Sequence, residues 1–187
     1  IRLREADERH AFLLEVSDAL RRLRDPVEIG RTFVAMLGRQ LRADAVHYTR
    51  VDEAEGWLVV ENAYTGGDAG ITPGTRAKIH GATLQLVRDG AIVAIDDVAT
   101  DERLDTESRA RILAIDARSL LVAPQIHEGR IVRLLSIATG TPRQWSHHDL
   151  TLVAEVVERL WSAEAQATAD RDNEARLASI IETAADS

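Results

Sequence analysis

The sequence contains no cysteine. Disulfides, thiolate nucleophiles, Cys-ligated zinc or iron–sulfur clusters and thioether-linked chromophores are therefore excluded for this chain. It also has no apolar run approaching the roughly 18 residues of a membrane-spanning helix, and its start does not resemble a signal peptide. We expect a soluble, cytoplasmic segment without membrane contact. Because the chain begins with Ile1, we expect a fragment of a longer protein.

Basic residues are outnumbered by acidic ones. The 31 Asp and Glu residues against 23 Lys and Arg give a formal net charge of -8. This balance lacks the positive patch by which proteins bind nucleic acids or anionic membrane surfaces, so we expect neither partner. With 187 residues and 45% hydrophobic content, the chain can bury one substantial core, which predicts one domain with extensions.

The first predicted helix carries two apolar stripes. Leu3, Leu13 and Leu20 follow a heptad-like spacing, and a second stripe lies about a third of a turn away. A helix that packs on its own domain needs one stripe, so the second predicts contact with a partner chain. The alternative is a helix wedged between two elements of its own domain. The second helix is predicted to start at Pro26, with Asp25 as its N-cap.

The middle of the sequence alternates between β-branched segments and short helical patterns. A loop rich in Gly and Pro, 65–74, interrupts it and is predicted to lack regular structure. The spacing of its glycines matches no nucleotide-binding fingerprint. The predicted strands are 45–51, 57–64, 75–79 and 91–95, and the predicted short helices are 82–88 and 106–115, the latter capped by Asp105.

A predicted hairpin around Glu128-Gly129 organises the rest of the chain. Two residues ending in Gly between β-branched runs are typical of a tight turn, since Gly tolerates positive φ. The expected register pairs Val122 with Leu135 and Leu120 with Ile137, which makes one face of the ribbon almost wholly aliphatic. The other face would carry Ser119, Leu121, Ala123, Gln125, Val132, Leu134, Ser136 and Ala138. Such short side chains leave room for a guest, or alternatively let a helix approach closely.

The segment from Ser146 to Asp149 contains the three residue types of a hydrolase triad, and its two histidines suggest a metal site. Consecutive residues point in different directions around a helix, so these side chains do not converge. We predict instead that Ser146 caps the last helix and that Asp149 completes a capping box. No catalytic or metal-binding residue is predicted in this chain.

Together these segments resemble a GAF domain, the small sensory module of bacterial signalling proteins, over about residues 10–162. The resemblance lies in the segment AIDDVATDERL, in the run from the hairpin to the final helix, and in the helix pair before them. Its clearest marks are Asp97-Val98 followed by Asp101 and Arg103, the strand 119–124, the Gly129 turn, and Pro142-Arg143 ahead of a Trp.

The resemblance implies an α+β fold. An antiparallel sheet of about six strands would carry the N- and C-terminal helices on one face, with short helices and loops covering a pocket on the other. The candidate ligand-binding residues are Tyr48, Arg76, His80, Thr83, Asp96, Arg111, Ser119, Leu121 and Ser136. Each has a structural alternative: a core position, a solvent-facing position or a cap.

The resemblance leaves the ligand and cofactor open. A covalently bound bilin needs a Cys, as do the free-methionine-sulfoxide reductases of the family, and the chain has none. The signature of the cyclic-nucleotide-regulated phosphodiesterases is also absent. Haem would need an axial ligand, for which His47, His80 and His127 are available.

The last helix carries a clear apolar stripe, and the polar, alanine-rich segment after it can continue as helix. That continuation cannot bury much alone, so it is either disordered or paired with the same helix of a second subunit. The dimer candidates are Leu3, Leu13, Leu20, Val157 and Trp161. Residues 176–187 resemble the opening of a PAS domain. We therefore divide the chain into an N-terminal helix, 1–24, a GAF domain, 25–162, and a linker helix, 163–187, that runs into a following domain.

Two functions of different classes follow from these observations. The first is a regulatory GAF domain of a bacterial sensor histidine kinase, or alternatively of a diguanylate cyclase or phosphodiesterase. It would bind a small molecule non-covalently, dimerise through its terminal helices and catalyse nothing itself. The second is a ligand-free dimerisation spacer whose pocket face is filled by its own side chains. A cavity beside Ser119, Ser136 and Arg76 would favour the first function.

Overall fold

The computed structural model describes the chain except for residues 1, 67–69 and 186–187, and leaves the side chains of residues 2, 3, 5, 82 and 185 undescribed. Five helices and six strands are formed by the described residues. In chain order they are α1 Arg2–Arg21, α2 Pro26–Leu41, β1 Ala45–Asp52, β2 Trp57–Thr65, β3 Arg76–Lys78, α3 Gly81–Gln85, β4 Val93–Ile95, α4 Thr106–Leu113, β5 Ser119–His127, β6 Arg130–Thr139 and α5 His147–Ala185.

The six strands form one antiparallel sheet in the order β3-β2-β1-β6-β5-β4. Helices α1, α2 and α5 pack together and cover one face of it, which we call the helix face. The short helices α3 and α4 lie over the other face, which we call the lid face. The predicted α+β architecture, with terminal helices on one side and short helices on the other, is confirmed.

The main core lies between the helix face and the three long helices. Apolar side chains of α1, α2 and α5 meet those of the central strands, because strand residues alternate between the two faces of a sheet. The largest fully buried side chains of this core are Tyr48, Phe33, Ile29, Leu37, Leu121, Leu135, Ile137, Leu152 and Leu160. Two smaller clusters on the lid face pack against α3 and α4.

The predicted register of the hairpin is wrong beyond its first two pairs. His127 pairs with Arg130 and Ile126 with Ile131, as the Gly129 turn requires. A bulge between Gln125 and Ile126 then shifts the ladder by one residue, and a one-residue shift exchanges the faces of one strand relative to the other.

The bulge reverses the expected faces of β5 and preserves those of β6 from Arg133 onward, whereas Ile131 joins a cluster on the lid face. Leu120 pairs with Ala138 and Val122 with Ser136, all on the lid face. Leu121 and Ala123 instead join the core on the helix face. The sheet therefore has a mixed lid face, aliphatic from β5 and short-chained from the end of β6.

The predicted helix starts are confirmed. Asp25 accepts a hydrogen bond from the Val27 amide at 3.1 Å, and Asp105 accepts one from the Ser108 amide at 2.6 Å. At the start of α5, the Ser146 hydroxyl accepts from the Asp149 amide at 3.1 Å, and the Asp149 carboxylate accepts from the Ser146 amide at 3.0 Å. This reciprocal pair is a capping box.

The residues predicted to contact a partner chain lie in the core of this chain. Leu13, Leu20 and Val157 are buried there, and Trp161 is half-buried against it. The helix α1 packs against both α2 and α5, which was the alternative to partner contact. That any of these four side chains contacts a partner chain stays a prediction. The side chain of Leu3 lies outside the described residues.

The last helix extends beyond the domain. Buried or half-buried side chains recur along it as far as Asp170, and every described side chain from residue 171 to 184 is exposed. Leu177, Ile180 and Ile181 are more than half exposed, at 61%, 57% and 67%. We call these three residues the α5 ridge. Across the described part of the chain, no helix combines the length and apolarity needed to cross a membrane.

Ser146→Ala is expected to lower the free energy of unfolding by about 1 kcal/mol, because it removes the N-cap acceptor of α5. Urea denaturation measures this change. Ser162→Ala, at an exposed position within the same helix, is the matched control and should be neutral or slightly stabilising, since Ala favours helices. Equal stabilities for Ser146→Ala and the wild type would contradict the capping role.

Candidate functional site

A cavity of about 230 Å³ lies between the lid face of the sheet and the cover formed by α3, α4 and the segments around them. Aliphatic side chains make up most of its wall. It is lined by His47, Thr49, Leu58, Val60, Ile71, Thr75, Ala77, Thr83, Leu86, Val87, Val93, Ile95, Ile112, Ile115, Leu120, Val122, Leu134, Ser136 and Ala138. Small-molecule sites are typically concave and mainly apolar, with a few polar groups that fix orientation.

Two of the polar lining residues stand side by side on the floor of the cavity. His47 of β1 is directly opposite Ser136 of β6, which in turn is opposite Val122 of β5. Opposed residues of antiparallel strands have Cβ atoms about 5 Å apart and share a face. His47 and Ser136 thus form a polar pair within an apolar surface.

His47 is buried without a hydrogen-bond partner for its Nε2 atom among the described residues. Its side chain is only 8% exposed. Burial lowers the pKa of His47 below its ordinary value, because removal from water disfavours the charged form. At neutral pH the cavity therefore presents a neutral imidazole, with one nitrogen as donor and the other as acceptor.

A second, wider cleft of about 820 Å³ adjoins the cavity. The two spaces share His47, Ile71, Thr75, Ile115 and Ala138. The outer cleft also has carboxylates in its wall, from Asp44 and Asp116. The imidazole thus stands where an apolar chamber meets a more polar entrance.

Two of the predicted ligand-binding residues line the cavity. Ser136 lies on its floor, and Thr83 reaches it from α3. The Thr83 hydroxyl donates to the hydroxyl of Ser108 at 3.1 Å, which ties α3 to α4 across the roof. That either residue binds a ligand stays a prediction.

Three predicted residues lie on the opposite side of the sheet. Tyr48 and Leu121 belong to the core under the long helices, and Ser119 hydrogen-bonds the carbonyl of Arg143 at 3.5 Å. For Ser119 and Leu121 the reason is the hairpin bulge, which turns the expected lid face of β5 towards the helices. Tyr48 alternates with His47 and Thr49, which line the cavity. The placement of these three residues at the pocket is corrected.

The remaining four predicted residues lie outside the cavity wall. Arg76 stacks over the ring of Trp57 at 4.6 Å, and Arg111 pairs with Glu107 at 3.6 Å. His80 also faces Glu107, at 3.6 Å. The Asp96 carboxylate accepts from the amide of Trp145 at 3.0 Å and so ties the end of β4 to the segment before α5. That any of these four residues binds a ligand stays a prediction.

The motif that follows β4 is structural. Arg103 donates to both Asp101 oxygens, at 3.0 and 2.6 Å, and to the carbonyl of Ala94 at 2.6 Å. Arg118 pairs with Asp97 at 3.2 Å. These contacts hold the loop between β4 and α4 against the sheet edge. Among the described residues, no cluster of three or more His, Asp or Glu side chains could hold a metal ion.

The most informative cavity residue, His47, was predicted only as a possible haem ligand. The residue predicted from β1 was Tyr48, and a strand exposes alternate residues to each face, so its neighbours line the cavity instead. One sequence signal could have exposed the register error. Pro124 within β5 cannot donate to the ladder and is typical of strand irregularity.

Directly behind the cavity floor, a buried polar contact joins the sheet to α5. The Tyr48 hydroxyl donates to the Glu164 carboxylate at 2.7 Å, and the Arg133 guanidinium lies 5.6 Å from the Tyr48 ring. Arg133 is itself held by Glu61 at 2.9 Å. Burial raises the pKa of Glu164, while the Tyr48 hydrogen bond and Arg133 oppose that rise. Burial and Glu164 raise the pKa of Tyr48, which keeps its proton and donates.

This geometry defines an α+β domain whose sheet separates a helix layer from a covered, mainly apolar cavity. The GAF domain family model matches residues 25–163. The chain belongs to the GAF domain family, whose members are sensory and regulatory domains that bind small molecules. Among curated proteins, no match to this chain is found.

Solved structures of GAF domains share this fold at low sequence identity. The phycocyanobilin-bound GAF domain of a cyanobacterial phytochrome superposes with a TM-score of 0.75 and 19% identity, covering 87% of this chain and 96% of that one. The free methionine-R-sulfoxide reductase of Neisseria meningitidis, in complex with its substrate, superposes with a TM-score of 0.67 and 20% identity. The match covers 85% of this chain and 91% of that one. The GAF domain of a Coxiella burnetii phosphoenolpyruvate-protein phosphotransferase superposes with a TM-score of 0.72 and 17% identity. That match covers 89% of this chain and 98% of the other.

Glu164→Gln is expected to remove a pH-dependent loss of stability. Because the pKa of Glu164 is raised above 4.5 on folding, the folded chain holds this proton more tightly than the unfolded chain. The resulting stabilisation is complete at a pH below the unfolded pKa of about 4.5 and is lost as the pH rises through the raised pKa of the folded chain. Gln stays neutral and still accepts from Tyr48. The melting temperature of the variant, relative to the wild type, should therefore increase between about pH 4 and pH 8 in circular dichroism.

Glu158→Gln is the control for this measurement, since Glu158 is exposed on the same helix. Its melting temperature relative to the wild type should show no comparable rise with pH. A flat difference for Glu164→Gln would contradict the account of a buried carboxyl whose pKa is raised by folding.

Proposed function

We propose that this chain is the non-catalytic sensor domain of a cytoplasmic bacterial signalling protein, with a histidine kinase as its parent. A small molecule binds non-covalently in the cavity on the lid face, and α5 carries the bound state to an output domain. A diguanylate cyclase or phosphodiesterase parent would use the same arrangement. The single observation that supports sensing best is a covered apolar cavity with an unpartnered buried imidazole in its wall.

The cavity is the reason to prefer sensing over a passive spacer. In a spacer, the lid face would be filled by the chain's own side chains, as interiors are normally close-packed. Here about 230 Å³ is unfilled next to the central strands. Bilin and substrate complexes among the similar structures support small-molecule binding by this fold, although the absence of Cys excludes a thioether-linked bilin here.

The route from the cavity to the output runs through β1. His47 and Thr49 face the cavity, and Tyr48 between them holds Glu164 on α5. A ligand that shifts β1 would therefore also move Tyr48 and change its contact with Glu164 of α5. Because α5 continues beyond the domain as helix, two arrangements of this contact would give two positions of whatever follows it.

We also propose a homodimer, with the α5 ridge as its contact. The described side chains of α5 after Asp170 are all exposed in this chain, and an isolated helical extension is marginal in water. Leu177, Ile180 and Ile181 lie at i, i+3 and i+4 spacing and form one apolar side. Pairing with the same ridge of a second copy would bury it. This ridge also favours the second candidate function, a dimerisation spacer.

Ser136→Phe is expected to fill the cavity and abolish ligand retention while leaving the fold intact. Ser136 stands on the cavity floor, where the added ring occupies existing space. Native mass spectrometry of protein purified from its own host should show a retained small molecule for the wild type and none for the variant. Ser179→Phe, at an exposed position on α5, is the control and should retain it. A wild-type protein without any retained mass, unchanged in melting temperature by candidate metabolites, would favour the spacer.

The double variant Leu177→Lys with Ile181→Lys is expected to convert a dimer into a monomer, because it places charges in the contact. Analytical ultracentrifugation at micromolar concentration measures this. Ala165→Lys with Ala169→Lys, both exposed on the same helix, is the control and should remain dimeric. A monomeric wild type, or a dimer that survives the ridge substitutions, would contradict the proposed contact.

A further inference from the structure

Among the described residues that line the cavity, His47 is the one with a buried side-chain polar atom that makes no hydrogen bond. That atom is its Nε2. A buried polar atom left without a hydrogen bond costs on the order of 1–3 kcal/mol, so such groups are rare in native structures. Aliphatic side chains flank it: Leu134 and Ala138 lie on β6, two residues to either side of Ser136. The chain keeps a polar group where an aliphatic one would pack without this cost.

The cavity also limits the size of an occupant. An apolar cavity of about 150 Å³ takes one benzene molecule. At about 230 Å³, this cavity holds a compound of roughly nine non-hydrogen atoms, the size of one fused pair of small rings. A larger molecule would have to extend into the outer cleft past His47.

The wall disfavours charge. Apart from His47, its polar members are the hydroxyl residues Thr49, Thr75, Thr83 and Ser136, and no Lys, Arg, Asp or Glu lines the described wall. A charged guest would lose its hydration without a counter-ion, which costs far more than one hydrogen bond provides. The burial that keeps His47 neutral removes the remaining source of positive charge.

We propose that the cavity binds a small, uncharged, largely apolar ring compound, whose single polar group hydrogen-bonds the His47 imidazole beside Ser136. This inference rests on the proposed sensing function and names the class of ligand. The Nε2 atom of His47 is the nitrogen left without a partner, and the tautomer of the ring decides whether it donates or accepts. As a neutral ring, His47 can donate or accept, and the hydroxyl of Ser136 can do either.

The test uses a matched set of bicyclic probes with the full chain. Indole offers one donor, benzofuran one acceptor, and indene neither, while all three have nearly the same shape. Indole-2-carboxylate adds a charge. Dissociation constants are measured by NMR titration for the wild type, for His47→Phe, which keeps a ring without nitrogen, and for His127→Phe at the exposed hairpin turn as control.

The quantity that decides is the affinity of indole or benzofuran relative to indene. In the wild type and in His127→Phe this ratio should be the same. In His47→Phe it should fall about tenfold for whichever probe pairs with the imidazole, because one buried hydrogen bond is lost while the apolar contacts remain. If His47→Phe does not fold, His47→Leu serves in its place. Indole-2-carboxylate should bind the wild type more weakly than indole.

An unchanged ratio in the His47 variant, or tighter binding of the carboxylate than of indole, would overturn the inference. Its failure can be told from that of the proposed function. If native mass spectrometry of the wild type finds a charged or much larger molecule that Ser136→Phe excludes, the cavity is a sensor site and only the ligand class is wrong. If neither the probes nor any retained molecule binds, both proposals fail.

Discussion

The structure depends on the alternation of side chains along β1. Tyr48 points into the core under the long helices, while His47 and Thr49, its neighbours, point into the cavity. This follows from strand geometry, since successive residues of a regular strand face opposite sides of the sheet. One strand therefore supplies the polar group of the cavity and the polar anchor of α5. The cavity and α5 are thus separated by the thickness of a single sheet.

The hydrogen bond between Tyr48 and Glu164 lies near the point where α5 leaves the domain. Glu164 lies in the last buried stretch before the helix leaves the domain, close to Ala167, and the described residues beyond 170 are exposed. A buried carboxyl is costly unless it is hydrogen-bonded, and Tyr48 supplies that bond. A hydrogen bond depends on distance and direction, so a shift of β1 would weaken the contact between Tyr48 and Glu164.

The sequence predicted the elements of this fold well and the faces of its central hairpin less well. Capping by Asp25, Asp105 and Ser146 was predictable because it depends on residues three positions apart or fewer. Which face each β5 residue points to was not predictable, because one bulge near Gln125 reverses the facing of the whole strand. The position of that bulge is decided by packing across the sheet. Ser119 and Leu121 were therefore placed on the wrong face.

Whether the two faces of β1 communicate is decided most directly by hydrogen–deuterium exchange of α5. Indole is the occupant, and the amides of residues 160–167 report on the far side of the sheet. The account predicts that indole changes exchange in this stretch in the wild type, and that Tyr48→Phe, which cuts the link to Glu164 but leaves the cavity lining unchanged, weakens that change while indole still binds. Exchange at 160–167 that is identical with and without bound indole would contradict the coupling through β1.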